Sequence, residues 1–83
     1  MSPVFHRENS YSFKIFSNEE MRMHIHVLRD DMEAKYWLEP QVELAENSGF
    51  KEHELRKIQK YVEKYAAKFK EQYRQHIGKR IDD

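Results

Sequence analysis

The 83-residue chain has no cysteine, only two prolines and two glycines, and no net charge, its 15 basic residues balancing 15 acidic ones. Each shortage excludes something. Without cysteine there are no disulfides and no thiolate metal sites, and a reducing cytoplasm is the expected location. Zero net charge argues against holding nucleic acid through overall charge. No apolar run approaches the roughly 18 residues needed to span a bilayer, so no membrane is expected among the partners. The start, Met1-Ser2-Pro3-Val4-Phe5-His6-Arg7, lacks the apolar stretch of a secretory signal. There is no internal repeat or linker, no glycine-rich phosphate loop, no Gly-x-Ser-x-Gly and no paired-carboxylate motif. The length allows one domain, near the lower limit for folding alone.

What is present is ordered. Tyr11-Ser12-Phe13-Lys14-Ile15-Phe16 is aromatic and β-branched and reads as a strand, followed by a polar turn at Ser17-Asn18-Glu19-Glu20. Arg22 to Leu28 alternates polar and apolar, the period of a strand with one buried face. Asp30 and Asp31 turn the chain, and Glu33 to Leu38 alternates again until Pro40, which cannot donate to a ladder. Val42 to Ala45 is a candidate fourth strand, and Val4-Phe5-His6 could pair at an edge. Strands joined by short turns predict an antiparallel meander.

From Lys51 the period becomes helical. Leu55, Ile58, Val62, Tyr65, Phe69, Tyr73 and Ile77 form one stripe, Gly78 is the expected stop, and residues 78–83 are the expected frayed tail. The expected fold class is thus α+β: a three- to four-stranded antiparallel sheet, about residues 4–45, packed on one long helix, about 51–77. Such a helix is about 39 Å long, whereas strands of this length span about 25 Å. An overhang at Tyr73 and Ile77 predicts a cover from the N-terminal segment, a second copy in a homo-oligomer, or a small protein partner. Charge divides the same way. Residues 1–50 carry five Lys/Arg against nine Asp/Glu, and residues 51–83 carry ten against six.

Strand parity sorts the sheet. Met23, Ile25 and Val27 share a face with Ala34, Tyr36 and Leu38, and this set meets the helix stripe. Arg22, His24, His26, Lys35 and Trp37 fall on the other face, beside Lys14 and Phe16, where one helix cannot cover them; that face is expected to be bare. Three chemistries fit it. Two His at i and i+2 can chelate a divalent ion, but further ligands would have to come from Glu33, Glu39 or His6, and Arg22 and Lys35 repel a cation, so no metal is assigned. In a metal-independent RNA chemistry, His24 and His26 would be the acid/base pair, Arg22 and Lys35 the phosphate contacts and Trp37 a stacking platform, with no cofactor. In the plainest reading, His is tolerated on a half-exposed strand and Trp37 covers the sheet or joins an interface. His53 and His76 read as ordinary histidines of the helix surface.

Several segments are familiar together: Phe16-Ser17-Asn18-Glu19-Glu20, Met23-His24-Ile25-His26-Val27, Glu33-Ala34-Lys35-Tyr36-Trp37-Leu38-Glu39-Pro40, Asn47-Ser48-Gly49-Phe50 and the helix start Glu54-Leu55-Arg56. Over nearly its whole length the chain resembles the small bacterial family catalogued as domain of unknown function 4160. The His-x-His strand is the most specific element. Many members have a proline before the first His, where this chain has Met23, and a Trp late in the helix, where it has Tyr73; a role for that Trp does not carry over. The resemblance implies no established activity. It implies gene neighbourhoods with another small protein, an arrangement like that of toxin–antitoxin pairs, and hallmark positions at His24 and His26. The expectation is a toxin–antitoxin-like component contacting RNA through the His24/His26 face, or alternatively a non-catalytic adaptor docking a protein partner.

Overall fold

The computed structural model describes residues 4–15 and 22–82, with side chains described through His76. The elements are β1 (Val4–Glu8), β2 (Tyr11–Lys14), β3 (His24–Arg29), β4 (Met32–Trp37), β5 (Glu43–Ser48) and α1 (Glu52–Asp82). All neighbouring strands are antiparallel, in the order β1-β2-β3-β4-β5. The chain is therefore an α+β protein with a meander sheet and one long helix, with five strands rather than three or four. The expected Ser17–Glu20 turn, with Phe16, and the side chain of Ile77 lie outside the described residues.

Local chemistry sets the turns. Asn9 and Ser10, at φ 50° and 70°, close the β1–β2 hairpin in the left-handed geometry that matches strand twist. Asp30, at φ 54°, does the same between β3 and β4, where a short polar side chain tolerates that region. After β5, Gly49 takes φ 101°, and a Cβ there would sit 2.8 Å from Met32 Cγ, so only glycine fits. Asn47 then braces the corner. Its Oδ1 accepts from the Phe50 amide at 3.1 Å and its Nδ2 donates to the Phe50 carbonyl at 3.0 Å. Glu52 and Glu54 place negative charge in the first turn of α1, where the helix dipole favours it.

The core forms where parity places it. Ile25, Val27, Ala34, Tyr36 and Leu38 are buried against Ile58, Val62 and Phe69. Tyr36 donates from its hydroxyl to the Leu55 carbonyl at 2.9 Å, and burial pushes its phenol up to about 12. The β2 side chains Tyr11 and Phe13 meet Tyr61 at 6.1 and 6.3 Å between ring centroids.

One expectation about the helix needs correction. Its backbone continues through Gly78 to Asp82. Glycine inside a helix costs only about 1 kcal/mol relative to alanine, too little to force a stop without a left-handed cap. The stripe is covered at Tyr73, which is 3% exposed. Phe69 packs on Phe13 of β2 at 5.6 Å and Phe5 of β1 at 6.5 Å, and the Tyr73 ring meets His24 of β3 at 5.7 Å. Within one chain, the N-terminal strand β1 thus covers the stripe at Phe69, as one of the expected covers, and β3 covers it at Tyr73. β5 also runs longer than expected. Its last residues, Glu46-Asn47-Ser48, have turn-forming composition but sit on an edge, where packing does not select β-formers.

Candidate functional site

Register brings the expected residues together. His24 pairs with Trp37, and His26 lies between Lys14 and Lys35. The two imidazoles pack edge to face at 5.3 Å, and His24 meets Trp37 at 6.1 Å. The Arg22 guanidinium lies 4.1 Å from the Trp37 ring centroid and the Lys35 ammonium 4.6 Å from it. Arg22 also donates from Nε to the Glu39 carbonyl at 3.0 Å.

This face is not bare, which corrects the central expectation about it. His24 is 0% exposed, His26 7% and Lys35 9%. Parity identifies which side chains share a face but not how deeply they lie. Here Arg22 and Lys35 fold onto Trp37 and Tyr73 closes on His24, so long side chains roof the strand. Both histidines are also oriented. A carbonyl or carboxylate only accepts, so His24 donates from Nδ1 to the Arg22 carbonyl at 2.7 Å, and His26 donates from Nδ1 to Glu33 Oε2 at 2.9 Å. Arg22 remains exposed and Trp37 half-buried. With cations already over the indole, Trp37 is a poorer stacking platform than the sequence suggests. His6 lies on the helix side of the sheet, against Tyr65 at 4.2 Å, and so cannot complete a His24/His26 metal set. Among the described residues, no group of three or more His, Asp or Glu is arranged to hold a metal ion.

Pattern reading missed a second polar cluster. On the helix side, Lys68 donates to His6 Nδ1 at 3.2 Å, His6 Nε2 donates to Glu8 Oε1 at 3.0 Å, and the Tyr65 hydroxyl donates to the same Glu8 oxygen at 2.9 Å. The hydrogen bond from His6, then that from Tyr65, hold the Glu8 carboxyl below its usual value. Asn9 adds a hydrogen bond to the Tyr61 hydroxyl. This cluster clamps β1 to α1. Its partners are separated by up to 62 residues, so no local spacing reveals them.

Among the described residues, the opposite edge is open. Five of the six residues of β5 are exposed. Beside it, on the polar face, Asp31, Glu33, Lys35, Glu46 and Ser48 line a cleft of about 250 Å³. No described helix is long and apolar enough to cross a membrane.

The model of a family described as a domain of unknown function, DUF4160, matches residues 10–74. The chain belongs to the DUF4160 family. The DUF4160 region takes in β2 to β5, the His24/His26 strand and the Asp31–Glu46 cleft, and most of α1; β1 and its clamp residues His6 and Glu8 lie outside it. No curated protein and no solved structure matches the chain.

Proposed function

We propose that this DUF4160 protein is a non-catalytic interaction component, of the sort a small toxin–antitoxin-like pair contains, which docks another protein rather than cleaving RNA with His24 and His26. The burial of His24 carries this reading. A general acid or base must come within about 2.6–3.2 Å of the proton it moves. A side chain with no exposed surface cannot do so from solvent, and His26 has its Nδ1–H committed to Glu33. Both histidines then serve the sheet, His24 packing between Trp37 and Tyr73 and His26 packing on His24. The open strand edge supports docking, and the family's gene neighbourhoods point to a small protein as the counterpart.

One observation favours a second reading, RNA contact without chemistry. Arg22 is exposed and holds its guanidinium over the Trp37 ring, which presents a positive charge to a phosphate. The two readings separate with purified components. The chain is incubated with a single-stranded RNA oligonucleotide, and with any small protein whose gene adjoins its own. The expected result is intact RNA and a complex of defined mass with the protein. RNA cleavage that disappears in a folded His26→Gln variant would overturn the non-catalytic reading. RNA retention lost in Arg22→Ala, with no protein complex, would favour the second.

A further inference from the structure

We infer that the outer edge of β5 receives an extended, lysine- or arginine-rich segment of a partner protein, added to the sheet as a sixth strand. This inference rests on the docking reading above and names the surface and the partner's chemistry.

β5 ends the sheet, and among the described residues no further strand pairs with its outer side. An edge strand offers a row of backbone donors and acceptors to any extended chain. The choice of occupant comes from charge. Register places Glu43 beside Trp37 and Glu46 beside Lys35, so both carboxylates stand on the polar face of the edge. The cleft next to them adds Asp31 and Glu33, the latter also accepting from His26, against one ammonium from Lys35. A cationic side chain projecting from the added strand meets Glu46 and the mouth of this cleft. On the helix side, Leu44 is 38% exposed and gives the same strand an apolar contact. A second copy is the wrong occupant. Pairing two β5 edges would bring two sets of these carboxylates together, and like charges across a strand pair are destabilising. Carboxylates on the edge thus keep copies apart while favouring a basic partner.

The probes are two synthetic octapeptides of alternating Val and Thr positions, one with Lys and one with Glu at the Thr positions. Binding is followed by amide chemical shifts and amide exchange of the intact chain. The Lys peptide is expected to slow exchange along β5 and to bind roughly tenfold more weakly to Glu46→Lys, with the Glu peptide failing to bind. Glu46 is exposed, so the variant keeps its fold, and its amide spectrum checks this. Shifts confined to β1 or α1, equal binding by Glu46→Lys, or no binding of the Lys peptide would each overturn the assignment. So would a concentration-dependent dimer protected along β5. None of these results touches the non-catalytic reading, which stands or falls on the RNA and protein-complex assay.

Discussion

The two edges of the sheet occupy equivalent places in the meander and have opposite chemistry. β1 is tied down. Phe5 is buried against Phe69, and His6 and Glu8 are bonded to Lys68 and Tyr65. A bulge between Val4 and His6 further spoils it as a template. Among the described residues β5 has no comparable anchor on the helix, and its side chains are mostly in water. The difference teaches that edge exposure is a property of side-chain anchoring, not of strand order. One edge closes the fold and the other is left for something else.

The sharpest way to break the contrast is to cut the β1 anchor. Phe5→Ala is expected to cost about 3 kcal/mol, the usual range for emptying a buried phenylalanine site, and to raise amide exchange first along β1. Urea titration with exchange mass spectrometry reads both effects. Next comes the corner that launches α1 from β5. Gly49→Ala forces a side chain into a left-handed backbone and onto Met32, and should cost about 1–2 kcal/mol by urea titration.

The clamp carries a pH signature. The folded state lowers the Glu8 pKa below its ordinary 4.5, chiefly through His6 and then Tyr65. A lowered carboxyl pKa contributes stability that is complete above the unfolded value and disappears as pH falls through the folded one. Urea midpoints of the native chain should therefore decline below about pH 5, and Glu8→Gln should make that decline shallower. The smallest effect belongs to the open edge. Leu44→Ala should change stability by no more than about 0.5 kcal/mol, because its side chain is already partly in water. A loss as large as that of Phe5→Ala would erase the distinction between the edges.

The sequence made the strand faces legible because alternation is strict where one side must meet a helix. Ile25, Val27, Ala34, Tyr36 and Leu38 all lie in the core, as their parity indicates. Depth on the second face was not legible. Periodicity carries no information about an Arg22 that folds back on Trp37 or a Tyr73 that reaches His24. The clamp was hidden for a related reason, since His6, Glu8, Tyr65 and Lys68 meet only after the whole chain has closed. β5 was half legible. An exposed edge strand needs no apolar rhythm, so its polar C-terminal half looks like a loop.

The meander also fixes an order of events on the ribosome. Every strand pairs with its neighbour in sequence, so the whole sheet has been synthesised once Ser48 is added. Its apolar face then has no cover until α1, the last element of the chain, brings in Ile58, Val62, Phe69 and Tyr73. During that interval the nascent sheet is sticky on one side and open along both borders, so the carboxylates of β5 guard the chain before it has a helix to shelter under.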